Sequence, residues 1–145
     1  MLKDILAISG RPGLYKLVTQ SKNMWIVESL NPQKRRFPVP AHQKVSSLAD
    51  IAIYTDEGEV PLYDVFNAIK EKEQGQKTIL NTKRATGEQF RTYLAEVLPN
   101  FDRDRVFVSD IKKLLNWYNT LIVNDITVFQ EKVETEKKAP IEEEK

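Results

Sequence analysis

Ile51-Ala52-Ile53-Tyr54-Thr55-Asp56-Glu57-Gly58-Glu59-Val60-Pro61-Leu62 is the stretch in which the hydrophobic rhythm of this chain changes. Upstream, from Gly13 to Tyr54, apolar residues come in short runs broken by turn residues, the habit of hairpin strands. Downstream, from Leu62 to Ile122, they recur three and four residues apart, as on a helix with one buried face. The change predicts an α+β protein in two parts, a β module and then a helical unit.

Working outward toward the N-terminus, Ile51-Ala52-Ile53-Tyr54 reads as a strand closed by Asp56-Glu57-Gly58. Lys44 to Asp50 reads as a single turn. Lys34 to Val39 reads as a strand in which Pro38, having no N–H, marks an edge or a bend. Met24-Trp25-Ile26-Val27 is strongly β-prone and is stopped by Asn31-Pro32. Ser21-Lys22-Asn23 makes a hairpin turn back to a strand over Leu14 to Gln20. Ser9-Gly10-Arg11-Pro12-Gly13 is a turn cluster, and residues 3–8 form one helical turn or a short strand. Short strands joined by hairpins favour a small barrel over residues 1–57, of the SH3, Sm or Tudor kind, because closure removes exposed edges. An open meander covered by the helices is the alternative.

Toward the C-terminus, Pro61 suits a first helical position, where its missing N–H costs little. Leu62, Val65, Phe66 and Ile69 form one stripe, which Gly75 ends. After a polar connector over residues 76–85, Thr86 with Gln89 makes a capping box. Phe90, Tyr93, Leu94, Val97 and Leu98 form the next stripe, stopped by Pro99. Ser109 is the expected cap of a third helix carrying Ile111, Leu114, Leu115, Tyr118, Leu121 and Ile122. The reading is thus a three-helix unit over 60–128 and a charged, flexible tail over 129–145. From Gln130 the chain is nearly all Glu, Lys and Thr, with too little apolar surface to offset the entropy of ordering.

The bulk numbers narrow the function classes. In 145 residues, 41% are hydrophobic and 30% charged, as in ordinary globular chains. No apolar run is long enough for a transmembrane helix, and the first eight residues are too soon interrupted for a secretory signal. Cysteine is absent, which excludes disulfides, thiolate ligands and cysteine nucleophiles and fits a reducing compartment; a cytoplasmic location is expected. The net charge of +1 hides an asymmetry: residues 1–56 hold eight Lys/Arg against four Asp/Glu, and residues 130–145 hold four against six. A basic front half points to an anionic partner.

Catalytic chemistry finds little support. His42, the single histidine, lies in the turn-rich Pro40-Ala41-His42-Gln43, where a surface or packing role is the simpler reading. One histidine without cysteine cannot build a usual zinc set. Gly10 and Gly13 around Arg11-Pro12 match neither a phosphate loop nor a dinucleotide fingerprint, so no cofactor is expected. Phe101-Asp102-Arg103-Asp104-Arg105-Val106 starts like a calcium loop, but Phe107 and Lys113 stand where glycine and glutamate are required. Its charges are better used in pairing with each other.

Lys34-Arg35-Arg36-Phe37 is the sharpest positive feature. Three cations beside an aromatic ring suit a phosphate backbone and a stacked base. Lys22, Trp25, Lys44 and Arg11 would extend that surface if the sheet curls. The competing reading is a solvated hairpin that protects an edge. Trp117, beside Lys113 on the proposed third helix, either anchors the helices on the β module or meets a partner protein.

Leu2-Lys3-Asp4-Ile5-Leu6-Ala7-Ile8-Ser9-Gly10-Arg11-Pro12-Gly13-Leu14-Tyr15-Lys16-Leu17, Lys44-Val45-Ser46-Ser47-Leu48, Asp50-Ile51-Ala52-Ile53-Tyr54-Thr55, Ser109-Asp110-Ile111-Lys112-Lys113-Leu114 and Trp117-Tyr118-Asn119 together resemble a family of uncharacterised proteins from Bacteroidetes-type bacteria. The likeness covers roughly residues 1–128 and the family carries a domain-of-unknown-function label. It implies a bacterial, cytosolic origin and a two-part organisation, and brings no activity or site residue with it. The expected function is a non-enzymatic binding module. Its ligand is nucleic acid along the basic strand edge or, alternatively, a protein met by barrel or helix aromatics.

Overall fold

The computed structural model describes residues 2–11, 13–31, 33–40 and 42–129. Of the flexible tail expected over 129–145, residues 130–145 lie outside them, and Phe129 is buried in the core instead. A single 3-10 turn, Leu2–Asp4, leads into β1 (Ile5–Ile8). There follow β2 (Tyr15–Gln20), β3 (Met24–Ser29), β4 (Arg36–Pro40) and β5 (Val45–Ser47). These make one antiparallel sheet in the order β4-β3-β2-β1-β5. After a 3-10 turn at Leu48–Asp50, β6 (Ala52–Thr55) and β7 (Gly58–Pro61) pair as a separate hairpin. The helices are α1 (Leu62–Lys72), α2 (Gly87–Val97) and α3 (Val108–Val123).

The molecule is α+β, but its front half is not a closed SH3, Sm or Tudor barrel. Among the described residues β4 and β5 are the two edges of an open sheet. Two physical reasons account for this. First, the strand expected at Ile51–Tyr54 leaves the sheet and pairs with β7 instead. That hairpin is locked by Thr55, whose hydroxyl donates to the Gly58 carbonyl at 2.7 Å and accepts from the Glu57 N–H at 3.1 Å. Gly58 takes φ +118°, a conformation open to glycine. Secondly, Pro38 and Pro40 stand two apart on β4. Proline is tolerated in a strand where its missing N–H faces away from the partner. The outer edge of β4 therefore lacks the donors that closure needs.

The sheet nevertheless curls. Residues 41–44 alone connect β4 to β5, so opposite edges are joined by a very short link. Gln43 lies in that link and its side-chain amide donates to the Ser9 carbonyl at 2.8 Å. One sheet face carries Leu6, Ile8, Tyr15, Val27 and Val39, all buried, with Leu17, Trp25, Phe37 and Val45 packed around them. Every one of these belongs to the sheet, which buries the cluster by bending over it. Tyr15 of β2 meets Phe37 of β4 edge to face at 5.5 Å, across the intervening strand.

The other face of β1 docks on the helices. Leu2, Ile5, Leu14 and Leu48 share one core with the predicted helical stripes: Leu62, Val65, Phe66 and Ile69, then Phe90, Tyr93 and Leu94, then Ile111, Leu114, Leu115, Tyr118 and Leu121. Each such side chain stabilises the fold by roughly 1.5–3 kcal/mol through burial. Phe129 closes this core, its ring 5.4 Å from Phe66 and 6.1 Å from Tyr118. The Thr86–Gln89 capping box forms as the sequence predicts, with both bonds made. Two starts differ. Pro61 ends β7 and precedes α1, rather than sitting inside it. α3 begins at Val108, one residue before the expected cap, and Asp110 accepts from the Phe107 N–H at 3.0 Å.

A basic cleft between the sheet and the third helix

Trp117-Tyr118-Asn119 divides its work between the interior and a cleft. Tyr118 is fully buried and donates to the Gln76 carbonyl at 2.7 Å. Burial pushes its phenol up to about 12, with the Glu73 charge adding to the effect. Asn119 accepts from the Thr78 N–H at 2.8 Å and donates to the Thr78 hydroxyl at 3.1 Å. These bonds hold the connector between α1 and α2. From the other side Glu73 accepts from the Ile79 N–H at 3.1 Å and from the Tyr93 hydroxyl at 2.5 Å. Burial, and then this bond, raises the Tyr93 phenol well above its ordinary value. These bonds tie α3 to the connector, and Trp117 projects to one side.

There it lines a cleft of about 600 Å³, a size that ligand pockets commonly have. One wall is the β1–β2 turn with the start of β5 and the other is α3. Arg11 and Lys44 come from the sheet side, Lys112 and Lys113 from the helix side. Among the described residues that line it, none is acidic. Lys44, Lys112 and Lys113 are exposed and, within the described residues, no carboxylate pairs with their ammonium groups. Arg11 lies over the Phe37 ring, 4.6 Å from its centre, and its guanidinium is thereby steadied rather than neutralised. Ser9, Ser46, Ser109 and Asn116 add neutral hydrogen-bonding groups. The hollow along α2 has the opposite character, lined by Glu88 and Glu96.

The structure brings together four residues that the sequence analysis placed in two separate groups: Arg11 and Lys44 from the nucleic-acid candidates, Lys113 and Trp117 from the partner candidates. The others lie elsewhere. Lys34 and Arg35 sit in the β3–β4 loop, which the Asn31 side chain organises by accepting from Gln33 and Lys34 N–H groups, each at 3.0 Å. Arg36 pairs with Glu28 at 3.0 Å. Its neighbour Phe37 points to the opposite, curled face, where its ring meets Tyr15 and carries the Arg11 guanidinium. Lys22 is exposed in the β2–β3 turn, at the far end of the strands from Arg11. The run Lys34 to Phe37 is therefore split between two faces. Lys112, Ser46, Ser109 and Asn116 were missed as site residues. Lys112 carried a local signal, its adjacency to Lys113 near Trp117; the serines and Asn116 carried none.

His42 is exposed and is not among the cleft residues. Asp102 of the rejected calcium loop accepts from Arg105 at 2.8 Å, and this bond lowers its carboxyl below the ordinary range. Among the described residues no group of His, Asp and Glu is placed to hold a metal ion, and no helix is long and apolar enough to cross a membrane.

Fold and cleft define a two-part α+β protein whose parts share one core. The comparisons divide the chain in the same manner. A domain of unknown function (DUF5606) matches residues 2–48, and another domain of unknown function (DUF6852) matches residues 51–121. A Bacteroides vulgatus protein, solved in solution by NMR as a structural-genomics target, is 57% identical. The match covers 89% of this chain and 91% of that one, with a TM-score of 0.74. The chain belongs to this uncharacterised Bacteroidetes family of two-part proteins. No curated protein matches it.

Proposed function

We propose that this protein is a non-enzymatic module that binds single-stranded nucleic acid in the cleft between β1, β5 and α3. The observation that carries the reading is the meeting of Arg11, Lys44, Lys112 and Lys113 around Trp117 with no acidic residue among the described residues of the lining. Cations spaced along a groove follow a phosphate backbone, and an indole gives a base a sequence-tolerant surface to stack on. Arg11, Lys44, Lys112 and Lys113 hold phosphates in this reading, and the open side of Trp117 receives a base. A cytosolic setting belongs to the same proposal. A protein partner has less support, because half-buried Trp117 already packs on the helical core.

The test is fluorescence anisotropy with a labelled eight-nucleotide oligothymidylate across a salt series. Four phosphate contacts to a single strand give a log–log slope of about −3, and each cation removed lowers its magnitude by roughly 0.7. The Lys112→Ala/Lys113→Ala variant is expected to lose affinity, while Lys34→Ala/Arg35→Ala is expected to bind nearly as the parent does. Binding lost only in the second variant, or absent at low salt in the parent, would overturn the proposal.

A further inference from the structure

A second hollow, of about 250 Å³, adjoins the basic cleft and shares Ile51, Lys113 and Trp117 with it. Trp117 and Lys113 therefore line both hollows. Tyr54, on β6 and 40% exposed, also lines the second hollow. The Arg105 guanidinium rests on its ring, 4.3 Å from the centre. Asp102 fixes that guanidinium from the side through Nε at 2.8 Å, and the Arg105 side chain is still 58% exposed. The result is a flat, preset plane of arginine on tyrosine, open on its outer face. Arginine planes and aromatic rings are the surfaces on which unpaired bases stack.

We infer that the groove continues past Trp117 and that the Arg105–Tyr54 plane is a second base-stacking platform, so that a single strand longer than a dinucleotide occupies both hollows. The inference rests on the reading of the basic cleft as a nucleic-acid site. It assigns the two ends different work. The Arg11–Lys44 end supplies charge. At the Tyr54 end Asp102 pairs with Arg105 and Asp110 lies nearby, so that end supplies stacking with little net charge. A strand would thus be steered into the first hollow and extended along the second.

The experiment compares a dinucleotide with a six-nucleotide oligothymidylate on the parent and on Tyr54→Leu, which keeps apolar bulk and removes the ring. The hexamer is expected to lose affinity in Tyr54→Leu by roughly fivefold to a hundredfold, the scale of one stacked base, at an unchanged salt slope. The dinucleotide is expected to bind both proteins alike. Equal loss for both lengths, or none for the hexamer, would overturn the second platform while leaving the basic cleft as the binding site. Failure of both lengths to bind the parent would remove the cleft reading and this extension together.

Discussion

Tyr118 illustrates how one residue joins stability to the site. Its ring fills the core against Phe66 and Phe129, its hydroxyl holds Gln76, and its neighbour Trp117 faces the cleft. The phenol is raised from 10.0 to about 12 in the fold. The folded state therefore binds a proton more tightly than the unfolded chain, and the neutral phenol favours folding fully below pH 10. That contribution is lost as pH climbs from 10 toward about 12. Replacing Tyr118 with Phe is expected to cost about 1 kcal/mol near neutrality, from the lost bond to Gln76. In urea denaturation the gap between parent and variant should then narrow above pH 10. A gap that widens or stays constant would show that the phenol does not titrate with folding.

The elements obey local chemistry wherever that chemistry is self-contained. The three helical stripes, the Thr86–Gln89 box and the position of β4 at an edge were all legible, because period, capping and proline act within a few residues. β7 was not. Val60-Pro61 satisfies the rule for a helix start as well as the rule for a strand end, and only pairing with Ile53 and Ala52 decides between them. The barrel expectation failed for the same reason: the partner of the strand at Ile51–Tyr54 was not readable, and β5 lies where only a turn was expected. Pro38 and Pro40 keep the remaining edge unpaired. Replacing both with Thr would restore two N–H donors on the outer side of β4, and an edge of that kind recruits other strands. The expected outcome is concentration-dependent association of the double variant, seen by light scattering, with a monomer-like parent under the same conditions. A variant that scatters as the parent does would mean that something other than missing donors protects this edge.

At the scale of the whole molecule the cleft was the least legible feature. Arg11 and Lys44 lie in the front half, and Lys112, Lys113 and Trp117 lie near the end of the helical part. No local pattern states that β1 and α3 face each other. The sequence could rank Lys34-Arg35-Arg36-Phe37 highest because those residues are adjacent in the chain, yet strand alternation sends Arg36 and Phe37 to opposite faces. Charges that converge do so through the shared core, which the connector bonds of Glu73, Tyr93, Tyr118 and Asn119 hold in register.

Phe129 bears on how this protein is handled at the bench. The second matched domain ends at residue 121, but the ring that plugs the gap between α1 and α3 arrives eight positions later and is only 2% exposed. A chain ended after Leu121 would leave Phe66 and Tyr118 facing water. Emptying a buried phenylalanine site costs roughly 3–5 kcal/mol, against a total stability on the order of 5–15 kcal/mol for a domain. Thermal melts should show residues 1–129 unfolding cooperatively and residues 1–121 melting far lower or without a clear transition. Equal melting temperatures would mean the plug is dispensable. The limit of a matched domain and the end of the self-supporting body are separate landmarks here, and cloning limits belong at the second.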